Sequence, residues 1–220
     1  MTAPLSDYRS WGGLAAHGST IVDARDWLDA PHRPRRPLLA YGNGRSYGDS
    51  CLNDGGTLID ARGLDEILAF DRETGLITCG TGLILDRLLD ITVPAGWFPP
   101  VTPGTAFVTI GGALANDVHG KNHHRAGTFG CHVRAFELVR SDGQRLICAP
   151  DLNGELFAAT IGGFGLTGLV TQVTLQLMPI ASAEMAQEVV PFGNLEGFFD
   201  IAAASDATHD YTVAWIDSLA

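Results

Sequence analysis

The sequence predicts a chain of mixed strands and helices built as two successive units, and three observations point there. Short apolar runs bounded by glycine and proline read as strands. Two stretches, one in each half, have the spacing and length of a helix. Strand and turn signals then begin again near Val101. At 220 residues the chain is long enough for one large domain or two small ones with a substantial core.

Residues 1–36 read as an N-terminal arm closed by Pro34 and Pro37. Its basic run, His32-Arg33-Pro34-Arg35-Arg36, is broken by proline and is expected to be a solvated linker. Leu38-Leu39-Ala40-Tyr41 follows as a short buried strand that leads into a glycine-rich turn, Gly42 to Asp49. Thr57-Leu58-Ile59-Asp60 is a second strand, and Gly75 to Cys79 a third. Leu85, Leu88 and Leu89 share one face of a helix that Pro94 terminates. These elements make a first unit over residues 37–100.

In the second unit, residues 101–180, Ala135 to Arg140 and Arg145 to Cys148 flank Ser141-Asp142-Gly143-Gln144, whose Asp-Gly step signals a hairpin. Glu155 to Ile161 reads as a short helix with Asp151 or Asn153 as its cap. Leu169, Thr171, Val173, Leu175 and Leu177 alternate with Val170, Gln172, Thr174 and Gln176, giving a strand that Pro179 ends. From Ala181 the composition changes, and residues 181–220 read as the beginning of a further domain.

A formal charge of −11 argues against a general nucleic-acid partner, since a phosphate backbone needs a basic face. Cys51, Cys79, Cys131 and Cys148 are widely spaced with no C-x-x-C pair. They read as free thiols in a reducing compartment, which points to the cytoplasm. Met1 to Thr20 has neither a cationic start nor a continuous apolar stretch, so no signal peptide is expected. No apolar run approaches bilayer-spanning length, and contact with an anionic membrane surface has only weak support.

The 27 glycines cluster between apolar runs, which points to tight turns and ligand loops. Pro103-Gly104-Thr105 and Thr109-Ile110-Gly111-Gly112-Ala113 lead into a polar segment, Asn116 to His124, that holds Lys121, the only lysine of the chain. Glycine lets backbone N–H groups approach a ligand unobstructed, an arrangement that suits a large phosphorylated or aromatic cofactor. Gly42-Asn43-Gly44-Arg45-Ser46-Tyr47-Gly48-Asp49 reads as an anion nest, to which Arg45 adds a cation and Ser46 a hydroxyl; a plain turn is the alternative. Gly163 to Gly168 matches G-x-G-x-x-G, yet a helix precedes it and a strand follows, the reverse of a dinucleotide fingerprint. Four histidines fall between residues 119 and 132. Metal binding is not expected there, because Gly120 disfavours a helix joining His119 to His123 and only Asp117 stands at ligand spacing. A structural role and a cofactor-facing role both stay open for these histidines.

Taken in order, these motifs resemble the FAD-binding domain of the vanillyl-alcohol-oxidase (PCMH-type) flavoprotein family. The resemblance covers about residues 37–180 and touches Ala214-Trp215-Ile216-Asp217; it is strongest to the oxidases that form the flavoprotein half of an arabinose-donor epimerase. It implies an α+β FAD domain of two subdomains with the flavin between them. It puts the diphosphate on the segment Ala40 to Asp49, that is on Gly42, Asn43, Gly44, Arg45, Ser46, Tyr47, Gly48 and Asp49. Pro103, Gly104, Thr105, Thr109, Ile110, Gly111, Gly112, Asn116, Asp117 and His119 would hold the rest, mostly through backbone donors, and Val170 would add one more contact. His119, Lys121 and Tyr47 would lie on the substrate side as catalytic candidates, with His119 and Lys121 unranked. Several sugar and alditol oxidases of the group carry, where Arg45 stands, a histidine bonded covalently to the flavin; arginine cannot form that link, so non-covalent FAD is implied.

The reaction implied is oxidation of a secondary alcohol on a sugar, either a small molecule or a polyprenyl-phosphate sugar, with a reductase as the partner of an epimerase pair. An alditol or aldonolactone oxidase using oxygen, and an FAD-binding fragment without turnover, are the alternatives. Relatives carry a substrate domain after the FAD domain, and residues 181–220 would be its incomplete beginning.

Overall fold

The computed structural model describes residues 8–29 and 37–216. The basic run at 32–36 and Asp217 lie outside the described residues. The first strand, β1 (Thr20–Asp23), runs straight into α1 (Ala24–Asp29). It pairs in parallel with β3 (Thr57–Asp60), which on its other edge pairs in parallel with β2 (Leu38–Tyr41). Thr57, Leu58 and Ile59 are all buried, as a central parallel strand covered on both faces requires. The segment read as an arm therefore contributes a strand and a helix to this sheet. Four residues are too few for alternation to reveal a strand, so only the pairing with β3 exposes it.

A larger antiparallel sheet follows. β4 (Ile67–Asp71) and β5 (Leu76–Gly80) form a hairpin; α2 (Leu85–Thr92) buries Leu85 and Leu88, and Gly96, at φ +84°, ends the turn that Pro94 begins. The short β6 (Trp97–Phe98) comes next, then α3 (Ile110–Ala115) and α4 (His123–Ala126). The expected hairpin is β7 (Val133–Val139) with β8 (Arg145–Cys148), paired antiparallel. After α5 (Gly154–Thr160) comes β9 (Leu169–Gln176), in which Leu169, Thr171, Val173 and Leu175 are buried and their neighbours half-buried. β10 (Met178–Pro179) pairs with β6, and α6 (Leu195–Ser205) closes the described chain.

The sheet order is β4-β5-β9-β7-β8, with β9 in the middle. Strands β4 and β5, which precede Val101, thus belong to the same sheet as β7 to β9. The division between sheets falls between β3 and β4 rather than near Val101. β5 finds its partner in β9, with Ile77 opposite Leu175 and Cys79 opposite Val173, a pairing that no local pattern announces. Strand β4 escapes sequence reading because its exposure does not alternate. Asn153 does precede α5, but at φ +54° its side chain makes no cap and instead donates to the Ile147 carbonyl.

The main core lies under the five-stranded sheet: Ile77, Leu88, Ile110, Leu114, Phe136, Leu138 and Val173 are fully or almost fully buried. Phe136 stacks on Phe157 of α5 with ring centroids 5.3 Å apart. Side chains of this size contribute about 1.5–3 kcal/mol each when buried. A second cluster joins Trp27 and Ile59 of the first layer to Val139 and Leu169 of the second, fastening the two sheets together.

Candidate cofactor site

Where the sheets meet, a cavity of about 530 Å³ opens. Its walls come from separated segments: residues 42–47 after β2, Pro103 to Thr105, parts of the segment from Thr109 to His119, and Phe164 to Val170.

The loop after β2 is unusual in its hydrogen bonding. Among the described residues, none of the backbone N–H groups from Gly42 to Asp49 donates to a protein acceptor, although Gly44 is buried. A buried amide ordinarily finds a partner, so the Gly44 N–H is left as a donor in the part of the loop, Gly42 to Tyr47, that lines the cavity. Gly44 and Gly48 both sit at φ +60°, a left-handed conformation that turns successive amides toward one side. Arg45 lies over the Trp11 ring, 5.8 Å from its centroid. The Asn43 side-chain amide Nδ2 donates to the Phe107 carbonyl at 2.8 Å, joining this loop to the one that contains Pro103 to Thr105.

Other glycines of the site are small for packing reasons. A Cβ on Gly42 would overlap the Thr109 hydroxyl, and one on Gly111 would come within 2.8 Å of Thr81 Cβ. One on Gly104 would meet nothing within 4 Å, so the backbone there is open to a ligand.

The segment Thr109 to Gly112 differs from its expected role as a set of backbone donors. Thr109 is the N-cap of α3, and the amides of Ile110, Gly111 and Gly112 in its first turn are committed within the protein. Ile110 N–H donates to the Leu83 carbonyl and Gly111 N–H to the Thr81 carbonyl, each at 2.8 Å; Gly112 N–H donates to Thr109 Oγ1 at 3.1 Å. Capping chemistry takes the groups a helix N-terminus would otherwise offer. Gly111 and Gly112 therefore shape the wall without donating from their amides, and Thr109 shapes it through a hydroxyl that caps the helix.

Of the expected site residues, Gly42, Asn43, Gly44, Arg45, Ser46, Tyr47, Pro103, Gly104, Thr105, Thr109, Gly111, Gly112, Asn116, His119 and Val170 line the cavity. Gly48, Asp49, Ile110, Asp117 and Lys121 do not. Ile110 points into the core. Asp117, at φ +43°, accepts from the Gly130 N–H at 2.8 Å and so shapes its turn. Lys121 is exposed, while Tyr47 is 81% exposed at the cavity rim.

The histidines have separate partners. His119 meets the His123 ring edge-on, His123 Nδ1 lies 3.2 Å from the Gly120 carbonyl, His124 pairs with Asp206 at 3.3 Å, and His132 lies 2.9 Å from the Ala126 carbonyl.

Sequence reading missed Trp11, Ala61, Thr81, Cys51 and Phe164, all on the cavity wall. The glycine repeat at 163–168 was visible, and its Phe164, Gly165 and Gly168 do face the cavity, in a loop between α5 and β9 rather than at a helix start. The others are single residues in unrelated segments and carry no local signal. Beneath the loop, the Arg62 guanidinium makes two hydrogen bonds to Asp60, at 2.8 and 2.6 Å, and the Tyr8 hydroxyl adds a third at 2.8 Å. Burial alone would raise the Asp60 carboxyl, but these donors outweigh it and hold it below the usual carboxylate range. Burial, with help from Asp60, pushes the Tyr8 hydroxyl up to about 12, so it stays a donor.

The FAD binding domain family matches residues 18–149, well over half of the chain. The chain belongs to this family of flavoproteins. Within it, the FAD domain is 40% identical to decaprenylphosphoryl-β-D-ribose oxidase of Mycolicibacterium smegmatis, over 95% of this chain and 47% of that protein. It is 29% identical to D-lactate dehydrogenase of Anaerostipes hadrus, over 64% of this chain and 31% of that protein. With L-gulonolactone oxidase of Mus musculus the figures are 26%, 73% and 36%. The FAD domain spans about half the length of the first of these relatives and about a third of the other two. Among the described residues, no helix is long and apolar enough to cross a membrane. The cavity suits the cofactor of the family: its volume lies within the range of about 300–1,000 Å³ usual for ligand pockets, and the 42–49 loop offers unpaired amides beside Arg45 for an anion.

Proposed function

We propose that this domain binds FAD non-covalently across the cavity, with the diphosphate on the loop from Gly42 to Asp49. The activity it serves would be oxidation of a secondary alcohol of a polyprenyl-phosphate sugar. The observation that carries the cofactor reading is the run of unpartnered amides from Gly42 to Tyr47, on the cavity wall and including Arg45. Support for the substrate class comes from the 40% identity to an oxidase of decaprenylphosphoryl-β-D-ribose. Support for dissociable FAD comes from Arg45, whose guanidinium is no nucleophile at flavin carbon.

In this reading the carbinol C–H bond breaks with its electron pair, and the hydroxyl proton leaves to a base, giving a ketone. Bound FAD would supply the redox chemistry by accepting the hydride. His119 is favoured over Lys121 as the group that takes the proton or polarises the alcohol, since it lines the cavity and Lys121 does not. Tyr47, at the rim, would contact the sugar or its carrier.

The test is direct. Purified protein, reconstituted with FAD if needed, is expected to show flavin absorbance, and denaturation in detergent followed by filtration is expected to release all of it. Absence of binding after reconstitution overturns the whole reading; flavin that stays with the denatured chain overturns non-covalent attachment. Bleaching of that absorbance by a polyprenyl-phosphoribose, and not by a polyol or an aldonolactone, distinguishes the proposed substrate class.

A further inference from the structure

Among the aromatic side chains of the cavity, Trp11 comes from the segment that precedes the matched family segment. Trp11 precedes residue 18, where that segment begins, yet its ring lines the cavity while 57% exposed. It is delivered by a small turn in which Arg9 and Ala15 form a β-bridge and Ser10 and Leu14 share a hydrogen bond. That turn is fastened to the glycine loop at several points. The Trp11 N–H donates to the Ser46 carbonyl at 3.0 Å, and the Tyr41 hydroxyl donates to the Arg9 carbonyl at 2.7 Å. Gly44 is pressed so closely on the Arg9 carbonyl that a Cβ would overlap it. The consequence is an indole face held against the Arg45 guanidinium, 5.8 Å from ring centroid to Cζ, at the edge of the unpartnered amides.

We infer that Trp11 is a positioning residue for FAD: its ring holds the Arg45 cation toward the cavity, so the N-terminal turn completes the wall beside the glycine loop. This rests on the proposal above that the cavity holds FAD. A guanidinium left free samples many rotamers and loses them on binding; an aromatic face that restrains it lowers that loss. The backbone bonds to Ser46 and Arg9 do not depend on the indole, so truncating Trp11 removes the ring and leaves the turn attached.

The experiment is a double-mutant cycle on FAD dissociation constants of the purified chain, read by flavin fluorescence. Trp11→Ala is expected to weaken FAD about fivefold, the scale of an exposed cation–π contact. Trp11→Phe, which keeps a ring face, is expected to stay within about twofold of the unaltered protein. In an Arg45→Met background, Trp11→Ala is expected to change affinity by less than about twofold. Should Trp11→Ala fail to fold, Trp11→Leu keeps apolar volume without the ring and reads the same contact. If Trp11→Ala binds FAD as the unaltered protein does, or its effect is undiminished without Arg45, the inference is overturned. If the unaltered protein binds no FAD, it is the cavity reading that fails instead.

Discussion

Gly42 and Asp60 show how differently single residues serve this site. Gly42 was legible as a loop glycine, but the reason it must be glycine is the Thr109 hydroxyl pressed against it, from a segment 67 positions later in the chain. Asp60 ends β3 and gathers Arg62 and Tyr8 beneath the loop. Its carboxyl pKa is lowered in the fold, so the stabilisation it brings is present above the unfolded carboxyl value of about 4 and is lost as pH falls through the lower folded value. Asp60→Asn is therefore expected to lose about 1–3 kcal/mol of stability at pH 7, less than a wholly buried pair because Arg62 reaches solvent. Urea denaturation at pH 7 and pH 3 checks this. The gap between variant and unaltered protein should narrow toward the acid end, and a gap that widens there contradicts the assignment.

At the scale of elements, α3 is the instructive case. Its sequence, Ile110-Gly111-Gly112-Ala113-Leu114-Ala115, holds two glycines and reads as a ligand loop, since glycine disfavours helix interiors by roughly 1 kcal/mol relative to alanine. The helix forms because Thr109 caps it and because Ile110, Ala113 and Leu114 are buried in the main core. Thr109→Ala is expected to cost about 1 kcal/mol in urea denaturation, with the Gly112 amide freed. A destabilisation below a few tenths of a kcal/mol would mean that packing, not the cap, holds the turn. The strands follow the opposite rule: β2, β3, β5, β7, β8 and β9 were all visible as apolar or alternating runs, because their burial is set face by face. Strands β1 and β4 were not, being short or without alternation.

For the whole molecule, the two sheets share one buried seam through Trp27, Ile59, Val139 and Leu169, with the cavity opening beside it. A ligand lying across both layers binds only the folded state, so FAD is expected to raise the unfolding temperature. The gain should grow logarithmically with concentration, by about 2.7 kcal/mol at one hundred times the dissociation constant. Differential scanning fluorimetry or circular dichroism over an FAD series checks this; a midpoint that does not move with FAD speaks against a site built from both layers.

Composition and local pattern alone determined the mixture of strands and helices, the principal strands, the hairpin at Asp142-Gly143 and the glycine loops around which a cofactor site was expected. These are written in neighbouring residues, through periodicity and turn chemistry. Only the tertiary structure decided that the N-terminal residues supply a strand and the Trp11 wall, that β5 joins β9, and that the α3 amides are already committed while those of residues 42–49 are not. Each depends on what a group meets across the chain, and a backbone amide carries no mark in the sequence of whether its partner is a carbonyl 30 residues away or a ligand.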